Sequence, residues 1–201
     1  MKNANLRRAG LALVLPLAAL ATPAMAQESA VAAGSNVVAA PTHAPITAAE
    51  VEAAQRAWGY ALVAIATEYD TKGHAAAKQL AENVIDSAYG YGLGPVLFKP
   101  TLAAAPTTFR TDRDGAISYF VGGNPAYPGD SGFALKGWRS YEIENAGILT
   151  NGNSATSMGN VTVIDASGNR TTVDKTWGYV RGADGKLRIV LHHSSLPYQT
   201  N

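Results

Sequence analysis

From Thr47 onward the apolar positions of this chain follow two rhythms, a helical one first and a strand-like one after it. Thr47-Ala-Ala-Glu50 has the spacing of a capping box, in which the threonine hydroxyl bonds the backbone N–H of Glu50. Behind it, Val51, Ala54, Trp58, Leu62, Ile65 and Tyr69 recur every three or four residues, one apolar stripe on a helix of about 20 residues. Asp70-Thr71-Lys72-Gly73 closes that helix. Ala77, Leu80, Val84, Ile85 and Tyr89 repeat the stripe on a second one over 74–89, stopped by Gly90, Gly92 and Gly94.

After Pro95 the period shortens. Val96-Leu97-Phe98 is a short apolar strand. Thr107–Arg110 and Ile117–Val121 flank Asp112-Arg113-Asp114-Gly115 in the manner of a hairpin. The loop over 122–136 is long enough to cover a pocket mouth. Four longer strands are predicted near 137–149, 154–165, 170–181 and 187–195, with Asn151-Gly152, Ser167-Gly168-Asn169 and Asp184-Gly185 in their turns. Such short turns make the strands antiparallel neighbours. Helices followed by an antiparallel sheet form an α+β arrangement. A strongly curved sheet wrapped around its helices makes a cone, whose open end is a natural pocket. The sequence shows no internal repeat and no second domain.

The N-terminal residues have a different character. Lys2, Arg7 and Arg8 precede an apolar run from Leu11 to Leu20, and Ala24-Met25-Ala26 supplies small residues for a signal peptidase. Residues 1–26 therefore read as a secretory signal peptide, with the mature chain starting at about Gln27. The run is too short to span a bilayer. Residues 27–46, rich in Ala, Val, Ser, Gly and Pro, read as a flexible linker to a single domain over 47–201. A bacterial leader of this kind implies a periplasmic or secreted protein without membrane insertion.

Charge and cysteine content narrow the function classes. The chain has 16 basic and 15 acidic residues, and loss of the leader's three basic ones leaves 13 against 15, a net charge of about −2. That balance argues against a nucleic-acid partner. No cysteine is present, so there is no disulfide framework and no thiolate metal ligand. The sequence also lacks a phosphate-binding loop, Gly-x-Ser-x-Gly, His-Glu-x-x-His and a dinucleotide fingerprint, which removes NTPases, serine hydrolases and zincins.

The polar signal concentrates in His192-His193-Ser194-Ser195, at the end of the last predicted strand. Alternation puts His192 and Ser194 on one face and His193 and Ser195 on the other. Two imidazoles on opposite faces cannot share one metal ion. The other histidines are His43 in the linker and His74 at a helix start, so a three-histidine zinc site is hard to assemble. No cofactor is expected; carboxylates are the remaining route to a zinc or manganese ion. On the residues alone, the terminal run reads equally well as a strand end whose hydroxyls satisfy local backbone.

Phe98-Lys99-Pro100-Thr101, the segment Gly132-Phe133-Ala134-Leu135-Lys136-Gly137-Trp138 and the terminal His192-His193-Ser194-Ser195 together resemble the iota-class carbonic anhydrases. The resemblance covers roughly 47–198. It implies the cone-shaped α+β fold of nuclear transport factor 2 and SnoaL-like proteins, a homodimer, and interconversion of carbon dioxide and bicarbonate. It further implies that Thr101, Tyr119 and Ser194 hold bicarbonate, with His192 as a supporting or proton-handling residue. Lys99 and Arg188 are further potential anion partners that read more simply as solvated. Two rival readings stay open. A SnoaL-like isomerase or ligand binder would use a buried carboxylate, with Asp86 the nearest candidate, beside a large apolar cavity. A non-catalytic dimerisation module would need no anion site.

Overall fold

A computed structural model describes residues 43–200 of the chain. The leader and nearly all of the linker lie outside those residues. The capping box at Thr47 forms in both directions: Glu50 N–H donates to the Thr47 hydroxyl (3.3 Å) and Thr47 N–H to the Glu50 carboxylate (2.9 Å). Helix α1 then runs over Ala48–Lys72, longer than its apolar stripe suggests, because Lys72 bonds Glu68 one turn back (3.0 Å) and carries the helix through Asp70-Thr71. Gly73, at φ 84°, ends α1 and opens α2, His74–Ala88.

Strand β1 is Leu97–Lys99, close to its predicted place. The hairpin expected around Asp112-Arg113-Asp114-Gly115 is absent. Arg113–Val121 is instead a helix, α3, and the Asp112 carboxylate caps it by accepting from Gly115 N–H (2.8 Å). The misreading has a physical cause. Every residue from Gly115 to Val121 is buried, so the helix has no polar face and its apolar run carries no helical period. Asp-x-x-Gly serves a cap as readily as a turn.

The four long strands form nearly as predicted: β2 Trp138–Asn151, β3 Ser154–Asp165, β4 Arg170–Arg181 and β5 Leu187–Ser195. They pair antiparallel in sequence order, and β1 adds parallel to β5, giving the order β1-β5-β4-β3-β2. Bulges interrupt β2 twice, near Arg139 and Ala146, and bend the sheet. Helices α1, α2 and α3 pack against it around a core that includes Trp58, Leu62, Ile85, Phe98, Phe120 and Trp177.

A third bulge decides which way the terminal motif faces. Gly178 pairs with Leu191 but Tyr179 pairs with Ile189, leaving Val190 without a partner. Plain alternation from buried Ile189 would turn His192 away from the core. The extra residue switches the phase, so Ile189, His192 and Ser194 all point inward while His193 is exposed.

Candidate active site

Three elements meet at the inward end of β5. The parallel pairing of β1 sets Phe98 beside His192 and Lys99 beside His193, so the chain leaves β1 through buried Pro100 and delivers Thr101 to Ser194. The Thr101 hydroxyl donates to the Ser194 hydroxyl at 2.8 Å. Tyr119 arrives from α3. Its ring stacks on Phe133 (5.5 Å between centroids, 17°) and meets Phe98 edge-on (5.5 Å). Burial pushes the Tyr119 hydroxyl above its usual range, partly offset by the Leu102 N–H, so it stays a neutral donor near pH 7.

Helix α3 is anchored from its outer side. Arg110 and Asp130, both 3% exposed, form a bidentate pair (2.6 and 3.2 Å), and Ser118 donates to the same carboxylate (2.8 Å). This joins α3 to the 122–136 loop. The loop's short 3-10 turn, Phe133–Leu135, then lays the Phe133 ring under Tyr119.

Thr101, Tyr119, Ser194 and His192 all line one cavity, as do Lys175 and the apolar side chains of Phe120, Phe133 and Val161. The space open to the centre of a water-sized sphere is ≈ 20 Å³. That suits a solute of a few heavy atoms, since one water needs about 10–15 Å³ by this measure. Its lining combines the hydroxyls of Thr101, Tyr119 and Ser194 with apolar carbon.

Behind the hydroxyls lies a buried polar chain. Trp58 Nε1–H donates to the Tyr89 hydroxyl (3.0 Å), which lies 2.7 Å from His192 Nδ1, and His192 Nε2 faces Lys175 Nζ at close range. His192 is clamped flat against Phe98 (4.3 Å, 29°). Both ring nitrogens are thus turned into the protein rather than toward solvent. Burial, then the neighbouring Lys175 and His193 charges, hold the imidazole well below its ordinary range. Burial alone lowers Lys175 to about 7.

The chain matches the family described as "Metal-independent carbonic anhydrase" over residues 49–196. It is also 64% identical, over 154 residues, to a metal-independent carbonic anhydrase from Nostoc sp. (strain PCC 7120), a match covering 77% of this chain and 75% of that one. The chain belongs to the metal-independent carbonic anhydrase family. Among solved structures it is similar to a cyanobacterial iota-carbonic anhydrase complexed with bicarbonate, at 63% identity and TM-score 0.77 over 78% of this chain and 95% of that one. A Xanthomonas campestris protein described as a calcium/calmodulin-dependent protein kinase II association domain shares the fold at 21% identity and TM-score 0.50, over 80% and 99% of the two chains.

Among the described residues no three His, Cys, Asp or Glu side chains converge to hold a metal ion. His43 bonds the Ala183 carbonyl (3.1 Å) rather than standing free in the linker, and His74 bonds the Val121 carbonyl (2.8 Å). Asp86, the carboxylate the isomerase reading needed, is exposed and paired with Arg113 (2.6 Å). Lys99 reaches the Ser194 carbonyl (3.4 Å), and Arg188 pairs with Asp184 (2.7 Å).

Sequence reasoning missed Lys175 and assigned Trp58 and Tyr89 only to the apolar stripes. A signal for Lys175 exists. Val173, Lys175 and Trp177 share one phase of β4, so a lysine occupies a position whose neighbours two residues away are core-facing.

Proposed function

We propose that this protein interconverts carbon dioxide and bicarbonate without a metal, in the cavity bounded by Thr101, Tyr119 and Ser194. One observation carries the reading: the Thr101–Ser194 hydroxyl pair opens onto a cavity only a few heavy atoms in size, with the Tyr119 hydroxyl on the same lining. The similar cyanobacterial enzyme was captured with bicarbonate.

The chemistry follows from the donors. The Thr101 O–H donates its hydrogen bond to the Ser194 oxygen, so the Ser194 O–H is left to donate into the cavity, beside that of Tyr119. Two neutral donors in a water-poor site stabilise the negative charge that develops on the carbon dioxide oxygens as water adds. The apolar part of the lining packs against the linear substrate, and confinement aligns the attacking water with the carbon. His192 holds the polar chain behind the hydroxyls. The small cavity and the Asp86–Arg113 ion pair weigh against an isomerase on this fold.

The same reading includes export to the periplasm and a homodimer. The leader at 1–26 supports the first. Exposed Leu149 and Met158 on adjacent strands β2 and β3 form an apolar patch that supports the second. Light scattering and the N-terminal sequence of the exported chain test these two points.

The deciding test is carbon dioxide hydration by stopped flow on chelator-treated protein, beside its Ser194→Ala form. Activity that survives chelation and falls in the variant is expected. Activity that returns only with an added metal overturns the metal-free reading, and silence in both conditions overturns the enzyme.

A further inference from the structure

Lys175 is an unusual lysine. It is 4% exposed, its Nζ faces His192 Nε2, and it lies over the rings of Trp58 (4.5 Å) and Trp177 (5.3 Å). No salt bridge reaches it among the described residues. The cavity it lines contains no carboxylate; its only other titratable side chains are Tyr119 from α3 and His192 from β5. Across the β4–β5 ladder Lys175 pairs directly with Ser194, so the two side chains emerge side by side on the inner face.

The hydrogen bonds behind it indicate its protonation state. Trp58 Nε1 can only donate, so the Tyr89 oxygen accepts there. The Tyr89 oxygen lies 2.7 Å from His192 Nδ1, and with the phenol proton on that bond the imidazole's own proton sits on Nε2. That N–H points at Lys175 Nζ and requires a lone pair on it. An ammonium has none, so the arrangement is satisfied by a neutral amine.

We propose that Lys175 is the catalytic base of the hydration step, taking the proton that water releases as it adds to carbon dioxide. The inference rests on the carbonic anhydrase reading above. The water oxygen bonds to the carbon while one C=O pair moves onto oxygen. The water O–H bond breaks and its proton goes to the Nζ lone pair. Neutral reactants thereby become bicarbonate and an ammonium, which face one another in the cavity. Protonation ends the bond from His192, frees its Nε2–H to donate to a bicarbonate oxygen, and leaves the ammonium over the Trp58 and Trp177 faces, where a cation is favoured. Loss of that proton to buffer restores the amine; dehydration runs the same steps backward. A base that titrates close to the working pH suits a reaction run in both directions.

The test pairs kinetics with a direct titration. Lys175→Met keeps the length of the side chain and removes the base. Its carbon dioxide hydration should fall by about 10²- to 10⁴-fold, with partial recovery in small primary amines. The parent protein's kcat/KM should rise through neutrality, and in Lys175→Met that rise should disappear. In the intact protein, side-chain 15N resonances, assigned by difference against Lys175→Met or Lys175→Arg, should show one amine titrating near neutrality. A folded Lys175→Met with the parental rate and pH profile overturns the proposal. So does a Lys175 that stays an ammonium to about pH 10, a result that needs no variant to be active. A parent protein that titrates at Lys175 yet hydrates no carbon dioxide removes the enzymatic reading itself, and the base role with it.

Discussion

Thr101 and Ser194 stand 93 residues apart in the chain, and their hydroxyls lie 2.8 Å apart in the fold. The contact exists because β1 joins the sheet parallel to β5, and because a bulge turns Ser194 inward. If the two hydroxyls work as one donor unit, their effects on catalysis are not additive. Thr101→Val and Ser194→Ala should each lower kcat/KM by about 10²- to 10³-fold, and the double variant should be little worse than the poorer single. Multiplicative losses would show that the two groups act independently.

Tyr119→Phe separates chemistry from packing. The ring keeps its contacts with Phe98, Phe120 and Phe133, and only the hydroxyl is lost. Stability should drop by about 1–2 kcal/mol while the hydration rate falls by at least about tenfold. Urea melts beside stopped-flow rates check both; an unchanged rate takes Tyr119 out of the mechanism.

The buried bases should make stability depend on pH. Lys175 is lowered from the ordinary lysine value of 10.5 to about 7, so between those values the unfolded chain binds a proton that the folded one does not. Stability from this group therefore rises with pH across that window. His192, held far below its usual range, acts in the same direction lower down: stability falls as pH drops through about 6.5. Lys175→Met should be more stable than the parent at pH 7 by a few kcal/mol, on the order expected for removing a desolvated amine, and the difference should shrink toward pH 10. Denaturant melts at pH 6 to 10 read this directly. A constant difference would mean that Lys175 keeps its proton on folding.

Gly59 sits in the middle of α1, where alanine would ordinarily favour the helix by about 1 kcal/mol. A Cβ there would run into the Tyr141 ring, which is tethered by its hydroxyl to the Arg56 carbonyl (2.8 Å). Overpacking against that fixed ring costs about 1–3 kcal/mol and outweighs the helical gain. Gly59→Ala should lower the thermal midpoint, and a raised one would show that β2 yields.

Much of this was legible in the chain. The capping box at Thr47, the stripe from Val51 to Tyr69, and the glycine-bearing turns at Gly152, Gly168 and Gly185 located both long helices and all four long strands. Period-two alternation put His192 and Ser194 on one face. The resemblance at Phe98–Thr101 and at the C-terminal motif named Thr101, Tyr119 and Ser194, which do line one cavity. These features are local: caps, periods and turns depend on residues a few positions apart, so they can be read without knowing what surrounds them.

What only the tertiary structure decided depends on surroundings. Residues 115–121 have no polar face because every side is covered, and nothing in these seven apolar and small residues distinguishes a helix from a strand. The parallel docking of β1 joins segments some 90 residues apart. The bulge at Val190 reverses a phase that the sequence leaves regular. Lys175 looks like any strand lysine until Trp58, Trp177 and His192 close around it. Burial sets its charge, and burial belongs to the whole fold rather than to the residue.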